Sequence, residues 1–357
     1  MKALSEVSRS AHTYFFVLGS LAIVVTFLVV ARDFLVPLVI AVLVWSLLNG
    51  IIERFIRISI GPVHIPRWLA TIVAFGLVLL ACALIAKILS DQVDAIAEAG
   101  PRYVARLESL FGQLVATIGA ETAAQAEQAL SQLDIASVVS KVVGSAGATV
   151  LDFVLVTIYV AFLLAEQRYI RPKFAALFPD QADAAEVRQL LVSIVDSLRS
   201  YILIKTVMSI LTGGTSYIVL TLVGVDFAET WALIIFLLYY IPNIGSALGV
   251  VLPALLALVQ FDTLTPFLIV TGGLALLQFI IGNVIEPALT GRSLNLSSFA
   301  VILSLSLWGA IWGIVGMFLS VPIAVMVMIV CSNVQAWRWI AIALSTDGGL
   351  TKADVSS

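Results

Sequence analysis

Apolar residues collect into eight long runs along the chain, at 14–31, 34–52, 68–89, 146–165, 201–223, 231–259, 265–285 and 298–331. About 20 apolar residues in a helix cross the hydrocarbon layer of a bilayer. Charge is scarce across the runs: residues 206–285 carry only Asp226, Glu229 and Asp262, and residues 293–337 carry none. The pattern predicts an all-α integral membrane protein with about eight hydrophobic segments. The first run is followed by Arg32-Asp33 and a second run, not by a small-x-small cleavage pattern. It therefore reads as a retained span, paired with the second in a tight helical hairpin.

Two stretches have a different rhythm. Between the third and fourth runs, Val93, Ile96, Val104, Leu107, Leu114 and Ile118 recur at helical spacing, followed by Leu130, Leu133, Val138 and Val142. Such spacing predicts amphipathic helices lying on the membrane or packed on another subunit. The segment is acidic, with Asp91, Asp94, Glu98, Glu108, Glu121, Glu127 and Asp134 against Arg102, Arg106 and Lys141. A second amphipathic stretch, 167–200, sets Val187, Leu190, Ile194 and Leu198 on one face and is rich in Arg and Lys. The organisation expected is a hairpin and third span over 1–89 and an outer amphipathic segment over 90–145. A permease-like core follows over 146–336, with its amphipathic helix at 167–200, and then a tail over 337–357.

Basic residues flank spans on the cytoplasmic side. Lys2, Arg9, Arg54, Arg57, Arg67 and the 167–200 stretch fall on one side, and the acidic 90–145 segment on the other. The expected placement is the cell (inner) membrane, multi-pass, with a cytoplasmic N-terminus. Eight full crossings return the C-terminus inside; one re-entrant segment reverses that.

Composition agrees. The 357 residues are 61% hydrophobic and 11% charged, against roughly 25% charged in soluble domains. Mean hydropathy is +1.11. A net charge of −3 points away from nucleic acid. Cys82 and Cys331 lie far apart inside apolar runs, and His12 and His64 sit at the edges of spans. No metal-ligand spacing, cofactor motif or nucleophile–base pair stands out, so neither a metal, a cofactor nor an enzymatic role is expected.

The informative residues are those that break the runs. In Tyr239-Tyr240-Ile241-Pro242-Asn243-Ile244-Gly245-Ser246, the proline removes a helix donor and clashes with the preceding turn. Gly245, Gly249 and Pro253 loosen the rest. Backbone groups freed inside a membrane need protein or cavity water as partners. This predicts a buried discontinuous helix that is either a solute or ion path with Asn243 on it, or a packing kink. A second break carries Gly309, Gly313 and Gly316, followed by Pro322. The run from 298 to 331 is too long for one upright crossing, so it tilts or hinges near Gly309–Gly316. The shared pattern hints at two corresponding halves.

Gln278, Asn283 and Glu286 cluster at the end of the seventh run. Glu286 is either a functional acid or an interfacial carboxylate paired with Arg292. Lys205 either snorkels to the cytoplasmic interface or pairs with an acid inside the bundle.

At these motifs the chain resembles the autoinducer-2 exporter family of bacterial permeases. The resemblance rests on Gly224-Val225 leading to Ile241-Pro242-Asn243-Ile244-Gly245. It continues through Gln278, Gly282-Asn283, Glu286-Pro287 and Gly291, then Leu307-Trp308-Gly309, Trp312-Gly313, Gly316 and Ser320-Val321-Pro322. It implies an exporter of a small polar solute such as the quorum-sensing signal autoinducer-2. Sodium/proton antiport is the alternative, and a membrane scaffold or oligomeric pore a third. It also implies a homo-oligomer, with the pentamer as its count. Ser246 departs from the proline common in the family.

Overall fold

A computed structural model describes residues 18–20, 22–57, 66–118, 135–177, 181–290 and 295–349. His12, His64, Leu130, Leu133, Arg292 and the tail beyond 349 lie outside the described residues. Within them the chain is helical, apart from short joints and an isolated antiparallel bridge between Leu296 and Ser345.

The helices run in the order α1 (Leu18–Val30), α2 (Arg32–Arg57), α3 (Arg67–Ile118), α4 (Ile135–Leu177) and α5 (Gln181–Val223). Then come α6 (Ala228–Leu238), α7 (Ile244–Gln260), α8 (Leu264–Ile280), a π-turn (Ile281–Ile285) and α9 (Glu286–Thr290). Helix α10 (Ser298–Asn333) and the short α11 (Arg338–Leu344) close the chain. Among the described residues, six helices are long and apolar enough to cross a membrane, and three shorter apolar ones accompany them. Apolar side chains such as Leu222, Phe162 and Phe299 are largely exposed, as a lipid-facing surface requires.

Several amphipathic stretches continue the spans. Helix α3 has 52 residues, about 78 Å at 1.5 Å per residue, so the third span and the start of the outer segment form one rod. Helix α5, with 43 residues, likewise joins the basic amphipathic stretch to the fifth span.

The chain divides into two compact units: residues 47–154 with 199–293, and residues 1–46 with 155–198 and 294–357. In the first unit, the sixth apolar run is not one rod. It is the helical hairpin α6–α7, whose two ends meet. The Gln260 side chain accepts from the Asp226 N–H at 2.8 Å and donates to the Gly224 carbonyl at 2.8 Å. Helix α6 has 11 residues, about 16 Å, too short for a hydrocarbon layer of about 30 Å. The hairpin therefore enters and leaves on one face.

The distal part of α3 lies along that face as an arm. Arg102 and the Tyr103 hydroxyl both reach Asp226 at 2.5 Å, and Arg106 reaches Asp262 at 2.9 Å. Burial, then the bond to Asp226, pushes the Tyr103 hydroxyl above its ordinary pKa. Leu220, Ile235, Ala254, Ala257, Val270 and Leu274 form the core between α5, the hairpin and α8.

The second unit contains a comparable fold-back. Helix α10 is interrupted at Gly313, whose φ of 63° and ψ of −142° lie outside the helical region. The two halves, 298–312 and 314–333, return alongside each other. Ser304 donates to the Ser320 carbonyl at 2.8 Å, sixteen residues on. A Cβ on Gly316 would overlap the Trp308 carbonyl, and one on Gly309 would lie 3.0 Å from the Met317 side chain. At the base, Ser297 donates its N–H to Leu344 at 2.9 Å and Thr346 donates to Asn295 at 3.2 Å. Both long broken runs thus fold back, a choice the sequence leaves open.

Candidate functional site: a polar cleft at the first hairpin tip

The α6–α7 tip is built by local chemistry. Pro242 has no N–H to continue the α6 ladder. The Ile244 N–H turns back to the Pro242 carbonyl at 2.6 Å. Between them Asn243 has φ 61° and ψ −51°, so it centres a γ-turn of the strained, positive-φ kind. A Cβ at Gly245 would collide with the Leu238 carbonyl, so only glycine lets α7 return this close to α6. Ser246 donates to the Asn243 carbonyl at 3.0 Å. It ties the turn with a hydrogen bond at the position where the family's proline would stiffen it.

The facing wall comes from the end of α8. The ring of Pro287 would crowd the carbonyl four residues back if α8 stayed regular. The helix instead opens into the π-turn, and the Glu286 N–H bonds to the Ile281 carbonyl, five residues back. π-turns of this kind concentrate at functional sites.

Between tip and wall lies a cleft of about 260 Å³. Lys205, Tyr239, Pro242, Asn243, Ser246, Gln278, Gly282, Asn283 and Glu286 line it, with Ile241. At its centre the Lys205 ammonium meets a Glu286 carboxylate oxygen at 2.5 Å. The other carboxylate oxygen accepts from the Tyr239 hydroxyl at 2.7 Å. The ammonium also stands 5.0 Å from the centre of the Tyr239 ring. The Lys205 side chain is 10% exposed and that of Glu286 is 23% exposed. A desolvated charge needs such a partner, because removing either one strands the other in low dielectric.

The sequence-predicted residues fall into two groups. Pro242, Asn243, Gln278, Asn283, Glu286 and Lys205 line the cleft, while Gly245 and Gly249 shape its backbone from within α7. Gly309, Gly313, Gly316 and Pro322 belong to the second hairpin, in the other unit. Of the two readings of Lys205, the structure takes the pairing one: it is buried and bound to Glu286. The pairing of Glu286 with Arg292 falls outside the described residues. Tyr239, which the sequence pattern did not assign to the site, is buried and holds Glu286. The doublet Tyr239-Tyr240 beside Pro242 was the available signal, since a tyrosine at a helix break can turn its hydroxyl inward.

Crossing helices, a fold-back helix pair and a polar cleft around a desolvated ion pair define a polytopic membrane permease. The match to the family model described as AI-2E family transporter covers residues 18–336. The chain belongs to that family and is a membrane transporter. It is 29% identical over 337 residues to the AI-2 transport protein TqsA of Escherichia coli strain K12, covering 92% of this chain and 94% of that one. It is 29% identical over 303 residues to a putative transport protein of Haemophilus influenzae, covering 81% and 82%. It is also 28% identical over 333 residues to the putative transport protein YhhT of Escherichia coli strain K12, covering 92% of each.

Proposed function

We propose that the protein exports a small polar solute of the autoinducer-2 type across the inner membrane, and that the solute passes the α6–α7 cleft. One observation carries this reading. A cleft lined by an ion pair, three amide side chains and a strained turn sits among apolar helices. Polar groups placed in a membrane interior mark solute and ion pathways, and a discontinuous helix supplies backbone groups to them. The resemblance to a protein named for AI-2 transport supports the choice of solute. Cation/proton antiport is less well supported, because Glu286 is the one acid among the lining residues and is already neutralised by Lys205. A role in transport rather than catalysis agrees with the three relatives above, which are named as transport proteins.

In this reading the first apolar run, 14–31, of which α1 is the described part, crosses together with α2, α3, α4, α5 and α8, and the two hairpins re-enter. Six crossings place the N- and C-termini together in the cytoplasm. The acidic loops at Asp226 and Asp262 then face outward with the α3 arm, as the positive-inside rule prefers. The arm offers a surface for homo-oligomer contacts, with the pentamer as the count implied by the family.

Vesicles reconstituted with purified protein and loaded with autoinducer-2 test the reading. Wild-type vesicles should release the signal faster than protein-free ones. Asn243→Ala should slow release about tenfold, the equivalent of about 1.4 kcal/mol. Release no faster than from protein-free vesicles would remove the proposal.

A further inference from the structure

We infer that Gln278, seated opposite Gly249, reads the solute and selects an uncharged molecule that presents a hydrogen-bond donor and acceptor side by side. The inference rests on the export reading above and deepens it.

Gln278 is 7% exposed, and among the described residues neither its Nε2 nor its Oε1 has a hydrogen-bond partner. Buried amides are normally paired, and an unpaired one is costly. Four neighbouring polar side chains on the cleft are already committed to other partners. Lys205 and Tyr239 both bind Glu286, Asn283 donates to the Phe279 carbonyl at 3.1 Å, and Ser246 donates to the Asn243 carbonyl. Gln278 is a desolvated lining residue with both a donor and an acceptor to offer.

The backbone opposite is shaped around it. A Cβ on Gly249 would lie 3.1 Å from Gln278 Nε2 and 3.5 Å from Ile235 Cγ1. Glycine at 249 therefore leaves the amide its place against α7, and any side chain there would press on it.

Charge sets the rest. An amide carries none, and the ammonium and carboxylate beside it already satisfy each other. A cationic solute would have to displace Lys205, and an anionic one Glu286. An uncharged solute with a vicinal diol, or a hydroxyl next to a carbonyl, needs neither. Its adjacent donor and acceptor match the two amide atoms as a pair. A site built on such a pair rejects analogues lacking one member far more strongly than an apolar pocket would.

The test uses autoinducer-2 transport in reconstituted vesicles, with propane-1,2-diol, lactate and propylammonium as competitors of similar size. Wild type should be inhibited by the diol and not by the two ions. Gln278→Leu removes the unpaired amide without shortening the side chain much, so it should fold. Its KM should rise by at least about tenfold with Vmax kept, and diol inhibition should disappear. Gly249→Ala should raise KM less and weaken diol inhibition in proportion. Gln278→Leu vesicles with wild-type KM and wild-type diol inhibition would overturn the inference and leave export standing, as would inhibition of wild type by lactate or propylammonium equal to that by the diol. A wild-type protein that moves no autoinducer-2 would overturn both.

Discussion

The two fold-back hairpins use one backbone device and fill it with different chemistry. In each, a glycine lies where a Cβ would strike the carbonyl of an earlier turn: Gly245 on Leu238, and Gly316 on Trp308. In each, a residue with positive φ makes the reversal, Asn243 in one and Gly313 in the other. Around the first tip stand an ion pair, a buried amide and a strained asparagine. The second tip is aromatic, with the Trp308 and Trp312 rings 4.9 Å apart. The Trp312 indole N–H donates at 2.9 Å to the Leu28 carbonyl, in the last turn of α1, where carbonyls lack a following donor. The fold-back alone thus does not tell the two tips apart; the buried polar groups do. On the proposed reading the first hairpin carries the solute chemistry, while the second anchors its own unit.

That contrast can be broken most severely at the ion pair. Lys205→Met should destabilise the protein by about 3–5 kcal/mol, since Glu286 is left unpaired. The double change Lys205→Met with Glu286→Gln should recover most of that stability and none of the transport. Thermal melts in detergent and vesicle efflux would show the split. Recovery of transport along with stability would make the pair a packing feature, like the second tip.

The glycines test what the hairpins share. Gly245→Ala and Gly316→Ala should each cost about 3 kcal/mol, because backbone must move to admit a Cβ. Similar losses in melting are expected for both. A harmless Gly316→Ala would show that the second fold-back is looser than the first.

Trp312→Phe sharpens the difference. It removes one hydrogen bond and should cost about 1 kcal/mol, with efflux per folded molecule unchanged. The smallest effect belongs to the arm. Arg106→Ala should cost about 0.2–1 kcal/mol, since Asp262 is 90% exposed. That cost should fade as salt rises above about 0.15 M, which melts across a salt series would read.

Much of this was legible in the hydrophobic pattern, for stated reasons. The spans follow from the length of apolar runs, and both breaks from Pro242, Gly245 and the Gly309–Gly316 cluster, because these residues act on the backbone locally. The fold-back was not legible, since a helix that kinks and one that reverses use the same residues. What decides is a long-range contact such as Gln260 with Gly224, or Ser304 with Ser320. Which acid Lys205 would meet was hidden for the same reason. Lys205 and Glu286 each lie near the end of a run, where snorkelling and a local arginine explain a charge without any tertiary contact. Only the packing of α5 against α9 and the hairpin tip brings them together. The π-turn was similarly silent, although Pro287 was its visible cause.

On the proposed export reading, the solute path runs by the first hairpin tip and not the second. Cysteine accessibility tests it directly, in a protein with Cys82 and Cys331 replaced by alanine. Asn243→Cys and Ile314→Cys would each be treated with a water-soluble, charged thiol reagent, with and without autoinducer-2, and efflux measured. Modification at 243 should abolish efflux, with the solute slowing the modification, while modification at 314 should leave efflux intact. Efflux that survives modification at 243, or solute protection at 314 instead, would contradict the account.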